Sequence, residues 1–390
     1  MEPEECGGLP WQGSVSSLGT PSAAHVRTDT ESRIAGEGGQ VIILGAIGCG
    51  GISQRAHMPS IEHLRDRVAV DAIADVSGEN LAAVGAQMDV RPERRFADYR
   101  DMLGSGGLDA VLIATPHHLH AEQAIACAEA GVTIVAEKPM AMSLDEADRI
   151  VEAVESASVD YTVSHNFLFA PGTQMALDRL DQADFGERVY GRTKSLFCKS
   201  HEQLDPETVW RSRASAGGGC ISDTAYHEIY TLERMMGSPI RYVEGRLRSN
   251  LLSLDVDDLA ALLFEHENGA VSTLSTSWGT TTVGPDETNN LAEVHSQDRA
   301  IRIDRRGRRV FERGREDDGW TEYEIPSYDG LSNEEISRVG HAGYFAQVFQ
   351  AMDEGHPLPT TVDDARHNLA IIEGARRASE TRSAIDVTKL

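Results

Sequence analysis

Lysine is nearly missing from this chain: among its 390 residues the only ones are Lys138, Lys194, Lys199 and Lys389, and arginine carries the remaining positive charge. The bias suggests a GC-rich or salt-adapted source and says nothing about chemistry, but it makes any lysine inside a motif conspicuous. Positive charge of either kind is short, with 36 Lys and Arg against 62 Asp and Glu, a net charge of −26. A surface that acidic repels phosphate backbones and anionic lipid, which argues against nucleic-acid and membrane partners. Cysteine is sparse, at Cys6, Cys49, Cys127, Cys198 and Cys220. The count is odd, the spacing wide, and no C-x-x-C occurs, which excludes a disulfide framework and a structural zinc knuckle and favours a reducing compartment. No apolar run reaches the length of a bilayer span. The start, Met1-Glu2-Pro3-Glu4-Glu5, is acidic, with no apolar stretch or twin arginine after it. A cytoplasmic location is the expectation.

The length predicts two domains, each able to bury its own core. Residues 1–38 are rich in Gly, Ser, Thr, Pro and Glu and are read as a disordered extension. Order is expected from the run Gln40–Gly48, an apolar stretch ending in glycines as a buried parallel strand would. From there to residue 163 strands alternate with helices: strands at Val68–Ala74, Leu108–Ala114, Val132–Ala136 and Asp160–Val163, and helices at Glu79–Gln87, Ala121–Ala130 and Leu144–Ser156. That alternation predicts an α/β fold with a doubly wound parallel sheet over residues 39–163. Beyond residue 185 strand-like segments follow one another with hairpin-length turns, such as Glu267-Asn268-Gly269. Residues 164–390 are therefore expected to form an α+β domain with a large, mostly antiparallel open sheet. Helices are expected at Asp223–Met236, Ala342–Met352 and Asp363–Thr381.

Gly48-Cys49-Gly50-Gly51-Ile52-Ser53 lies between the first strand and a helix. Gly48 allows a tight turn, Gly50 lets a pyrophosphate approach the backbone, and the helix start offers N–H groups to it. Ser53 stands at the third glycine position. Asp75 ends the next strand, where an acid would bind an adenosine ribose and repel a 2′-phosphate. NAD is the expected cofactor, ahead of NADP. Cys49 reads as a small turn residue.

Five segments together resemble the Gfo/Idh/MocA oxidoreductases, the relatives of glucose-fructose oxidoreductase and inositol 2-dehydrogenase. They are Ile47–Ile52 with His57; Ile113–His120; Ala136-Glu137-Lys138-Pro139; Gly217–Asp223 with His227; and Gly355–Ser379. The resemblance covers residues 40–388. It implies a Rossmann domain followed by an α/β domain whose exposed sheet face joins subunits, hence a homodimer or homotetramer. The activity implied is hydride transfer between NAD and a secondary alcohol carbon of a sugar, inositol or related polyol.

Such a reaction needs a held nicotinamide, an acceptor for the hydroxyl proton and polar groups that fix the substrate. The resemblance gives Lys138 the substrate hydroxyl and nicotinamide ribose, makes His227 the general base, and lets Asp223 orient that ring or bind a hydroxyl. Asp223 and His227 are four apart, on one helical face, with Ile229, Leu232 and Met236 roughly opposite. Thr115, Pro116, His117 and His120 are implied contacts of the nicotinamide half, together with Glu137; Asn166, Trp210 and Arg211 are candidate substrate contacts. The histidines from His117 to His120 lack carboxylate or cysteine partners at ligand spacing, and no metal is expected. Many relatives carry arginine three residues before the proline at Pro171, where this chain has Leu168. That loss favours a neutral sugar or inositol over a phosphorylated or carboxylated one. Other readings stay open: a ketosugar or imine reductase, an NAD-assisted lyase or epimerase, or a non-catalytic NAD-binding sensor.

Overall fold

The run Ile42–Ile47 (β1) forms a strand buried on both faces, as an apolar stretch without polar alternation must be. In the computed structural model, which describes residues 41–390 apart from 201, 208, 250, 251, 253, 281–288, 305–306 and 326–332, it centres a six-stranded sheet. The other strands are Val68–Ala74 (β2), Arg95–Phe96 (β3), Ala110–Ile113 (β4), Thr133–Ala136 (β5) and Tyr161–Val163 (β6). All pairs are parallel, in the order β3-β2-β1-β4-β5-β6. The chain winds outward from β1 to β3, returns to β4 and winds the other way. The loops after β1 and β4 thus part at the carboxyl edge, leaving the crevice where such sheets take ligands. The expected extension, residues 1–38, lies outside the described residues.

Nine strands form the second sheet: Tyr190–Leu196 (β7), Ile240–Arg248 (β8), Leu259–His266 (β9), Val271–Ser277 (β10), Asn290–His295 (β11), Arg299–Asp304 (β12), Arg309–Gly314 (β13), Thr321–Tyr323 (β14) and Ile385–Asp386 (β15). Their order is β14-β13-β12-β11-β7-β10-β9-β8-β15. Among the described residues of this sheet β7 and β10 alone pair in parallel; they are separated in sequence by a helix and two further strands. β9 alternates strictly, with Ala260, Leu262, Phe264 and His266 buried and Ala261, Leu263 and Glu265 exposed. One sheet face therefore packs on helices while the other meets solvent.

The fold matches the expected class, with local differences. β3 was not anticipated because Arg-Arg-Phe carries no apolar run; β2 supplies its hydrogen bonds. The helix Pro171–Leu180 was also not anticipated and starts on a proline at its first position. The helix expected over Asp223–Met236 begins as a wide π turn, Ile221–Ala225, before the α-helix Tyr226–Met236. The helix expected from Ala342 spans Asn333–Glu354.

The last long helix, Val362–Thr381, is fixed at its start by a capping box between Thr361 and Asp364. It packs on β8 and also on β6 and the helix Leu144–Ala157. One apolar cluster runs from Ile42 and Leu44 to Phe264 and Leu274, through Tyr226 and Phe345. Residues 39–390 consequently form one compact unit around both sheets. Among the described residues no helix is long and apolar enough to cross a membrane.

Candidate active site

At the end of β1 the chain turns sharply. Gly48 has φ +95°, and a Cβ on it would lie 2.6 Å from the Ala114 carbonyl oxygen, so only glycine fits. Asp75 braces this turn: one carboxylate oxygen accepts from the Cys49 N–H at 2.7 Å and the other from the Ser77 N–H at 2.8 Å. Cys49 is fully buried, and burial with the nearby Asp75 charge pushes its thiol up to about 12, so it remains an unreactive thiol. Beyond the turn nothing lies within 4 Å of the position a Gly50 Cβ would take, and the Arg55 guanidinium stands beside Gly51. An open backbone at the start of a helix and a cation beside it fit a dinucleotide diphosphate.

Gly50, Gly51 and Ile52 open into a cavity of about 1120 Å³. Thr115, Pro116 and His117 from the loop after β4, and Glu137 and Lys138 from the end of β5, line it. So do Asn166, Trp210, Arg211, Asp223 and His227 from the second half of the chain. Gly48, Asp75 and His120 stand behind this surface. His120 is buried, its Nδ1 2.7 Å from the Pro139 carbonyl and its Nε2 2.9 Å from the Thr115 carbonyl, tying together the two loops that carry Thr115 and Lys138. The Thr115 hydroxyl donates to Gln123 Oε1 at 2.6 Å.

Lys138, followed by a cis peptide bond to Pro139, crosses the cavity floor. Its Nζ donates to the Asp223 carbonyl at 3.2 Å and lies 3.3 Å from Asp223 Oδ1. Arg211 donates to Asp223 Oδ2 at 3.1 Å, and Lys199 Nζ is 3.8 Å away from the same oxygen. Burial works to raise the Asp223 pKa, but the charges of Lys138, Arg211 and Lys199 hold it well below the usual carboxylate range.

Of the two roles expected for Asp223, orienting His227 or binding a hydroxyl, the first has no direct hydrogen bond behind it here. The Asp223 oxygens are taken by the three cations, and among the described residues no hydrogen bond joins the two side chains. His227 Nδ1 is instead 2.8 Å from the Tyr230 hydroxyl, and Phe167 stacks on its ring at 4.2 Å. Tyr230 also accepts from the Phe167 N–H at 3.2 Å, so one phenol positions both rings. Ile229, Leu232 and Met236 are buried on the helix's other side, as the spacing predicts.

His117 meets the Trp210 ring edge-on at 4.2 Å, and the Arg211 guanidinium lies 4.6 Å from that indole. Burial, the Lys138 charge and His120 depress the His117 pKa to about 2, which keeps the ring neutral. Glu137 faces two histidines, with its Oε1 3.2 Å from His57 Nε2 and 4.0 Å from His341 Nε2. The three donor groups lie within 4.8 Å of one another. Burial opposes ionisation of Glu137, yet His57, His341 and Lys138 bring its pKa down to about 2.

Arg55, Lys199, Arg213, Arg338 and His341 also line the cavity and were not singled out in the sequence. For Lys199 a signal existed in the rarity of lysine. Arg213 and Arg338 stand in no motif. Leu168, in contrast, is buried in the core cluster, so its identity does not set the charge of the cavity wall.

Residues 42–165 match the profile described as the oxidoreductase family, NAD-binding Rossmann fold, and residues 173–298 match the GFO/IDH/MocA C-terminal domain. The chain is 31% identical over 164 residues to levoglucosan dehydrogenase of Pseudarthrobacter phenanthrenivorans, covering 40% of this chain and 42% of that protein. It is 27% identical over 257 residues to D-apiose dehydrogenase of Paraburkholderia graminis, covering 66% of each. The matched stretches thus span from under half to about two thirds of these relatives. Among solved structures, an oxidoreductase from Agrobacterium radiobacter in complex with NAD+, L-tartaric acid and magnesium shares the fold, with a TM-score of 0.79 and 22% identity over 90% of this chain and 99% of that one.

Proposed function

The chain belongs to the Gfo/Idh/MocA oxidoreductases, and from that premise we propose that it is an NAD-dependent dehydrogenase of a sugar, inositol or related polyol. The observation that carries the proposal is the hydrogen bond from Lys138, at the edge of the first sheet, to Asp223, from the other half of the chain, in the cavity that opens from the glycine turn. The relatives named for levoglucosan and D-apiose point to the same substrate class.

A bound nicotinamide supplies the acceptor for the hydride that leaves the carbinol carbon. Gly50, Gly51 and the helix start would hold the diphosphate, and Asp75 the adenosine ribose. Lys138, aligned by Asp223, presents its ammonium to the substrate hydroxyl. His227 takes the hydroxyl proton at Nε2, which requires the ring hydrogen on Nδ1, donated to Tyr230. His117 and Trp210 give an apolar and aromatic wall for a sugar ring.

Lys138→Ala and His227→Ala should each reduce kcat by about a hundredfold or more while NAD affinity, measured by fluorescence titration, stays nearly unchanged. Wild-type turnover in either variant removes that residue from the chemistry. A screen of monosaccharides and inositols with NAD tests the reaction, since net NADH formation separates a dehydrogenase from a lyase, an epimerase or a sensor.

The reading extends to assembly and location. Val189, Tyr190, Leu263 and Val271 are exposed, with Tyr190 paired to Val271 across the outer face of the second sheet. That face would join copies into a dimer or tetramer, measurable by sedimentation. The enzyme would act in the cytoplasm.

A further inference from the structure

Glu137 turns its two carboxylate oxygens to different tasks. Oε2 accepts from the Lys138 N–H at 3.1 Å, while Oε1 faces a pair of histidines, 3.2 Å from His57 Nε2 and 4.0 Å from His341 Nε2. The two imidazoles come from elements far apart in the chain. His57 ends the π turn Ser53–His57 that follows the glycines, and His341 stands on the helix Asn333–Glu354. Their rings meet edge-on at 5.3 Å, and the Phe345 ring packs edge-on against His57 at 5.5 Å. His57 is wholly buried. Despite the short Nε2–Oε1 distance, among the described residues neither His57 ring nitrogen has a hydrogen-bond partner, and neither does Glu137 Oε1. Buried polar atoms in a native fold are almost all satisfied, and an exception calls for a water or an ion. One ligand atom from each of the three side chains lies within 4.8 Å of the other two. Around a tetrahedral zinc with bonds of about 2.0–2.1 Å the ligand atoms stand about 3.3 Å apart, so side-chain shifts of about an ångström would close the set on one ion.

We propose that His57, Glu137 and His341 bind a divalent transition cation of the zinc class, through two imidazole nitrogens and one carboxylate oxygen. Imidazole donors select such ions over magnesium and calcium, which take oxygen ligands. His341 Nδ1 lies 3.4 Å from the Asn166 side-chain amide, an outer contact that holds the ring with Nε2 toward the carboxylate. Glu137 and His341 also line the cavity that contains Lys138 and His227. Three protein ligands in a cavity wall leave a coordination position on the open side for a water or a hydroxyl oxygen. The expectation of no metal, drawn from His117–His120, misses this set, whose members share no local spacing. The site stands apart from the dehydrogenase reading and does not depend on it.

The full chain, stripped with EDTA, is titrated with zinc chloride by calorimetry and with cobalt(II) chloride by visible absorption. One zinc should bind per chain, and cobalt(II) should gain the intense ligand-field bands of a four-coordinate site. His57→Asn and His341→Asn should each weaken zinc binding by about 100-fold or more, at least the loss caused by removing an outer-shell partner. His57 is packed in the core, so its variant is checked by circular dichroism without metal; if it does not fold, His341→Asn on the cavity wall decides. Zinc should raise the Tm of the parent chain and not that of His341→Asn. His63→Asn and His356→Asn, exposed and outside the set, should leave the titration unchanged. No zinc binding, binding that survives His341→Asn or a folded His57→Asn, or binding lost with the exposed histidines overturns the assignment. None of these readouts uses NAD or a sugar, so the metal site and the dehydrogenase fail separately.

Discussion

Asp75 and His117 carry different kinds of consequence at the scale of single residues. Asp75 accepts from two backbone N–H groups and so braces the glycine turn, beside its proposed role toward the ribose. Asp75→Ala should relax preference for NAD over NADP, read as the ratio of kcat/KM with the two cofactors; an unchanged ratio removes Asp75 from the ribose. Burial, the Lys138 charge and His120 hold the His117 pKa far below the range between pH 5 and 9, so it should not shape the pH profile there. His117→Asn should therefore raise KM without moving either limb of kcat/KM against pH, and a displaced limb would show that the ring titrates. Residues of this kind were legible in the sequence because each belongs to a short motif with its chemistry beside it: the glycines before Ile52, Lys138 before Pro139, Asp223 four before His227. Arg213 and Arg338 were not, since no local spacing says that a loop and a distant helix share a wall. The contacts of Asp223 and His227 with Lys138, Arg211, Lys199 and Tyr230 were not legible for a related reason. A four-residue spacing reports a shared face, not which cation or phenol from elsewhere takes the hydrogen bonds.

Elements were legible where burial imposes a period. β1 and β4 are apolar throughout, β5 is so after Thr133, and β9 alternates, so each declares its sheet. β3 and β15, two residues each, owe their conformation to β2 and β8 and have no pattern of their own. The wide turn at Ile221–Ala225 is likewise set from outside, by Asp257, whose carboxylate accepts from the Ile221 N–H at 2.8 Å and from the Cys220 thiol. Between the helices Tyr226–Met236 and Val362–Thr381, His367 Nε2 donates to Glu233 Oε1 at 2.8 Å. Burial lowers the His367 pKa, but the Glu233 carboxylate, with Asp364 and Glu267 nearby, leaves it above the ordinary value. A raised histidine pKa stabilises the fold fully below the unfolded value of about 6.5 and loses that contribution as pH climbs through the folded pKa. His367→Gln should thus lower Tm more at pH 5.5 than at pH 9, and equal losses at both would refute the ion pair.

Across the whole molecule, two sheets suggest two independent bodies, yet their cores are shared. Ala365 and Leu369 of the last long helix join the apolar cluster around β5 and β6, while Ile371, Ile372 and Ala375 join the larger one. Unfolding either half would strip the other of part of its core. Scanning calorimetry should accordingly record one endotherm for residues 39–390, and two resolved peaks would mean that the halves melt separately. The division near residue 163 that the strand pattern suggests is one of topology, and sequence order hides how the carboxyl-terminal helix recrosses it. The uneven shelter of the few lysines has a practical sequel. Lys389 is 78% exposed, against 10% and 22% for the two beside Asp223. Coupling to an activated resin through lysine amines would engage Lys389 far more readily than Lys138 or Lys199, so immobilisation by that chemistry would spare the pair beside Asp223.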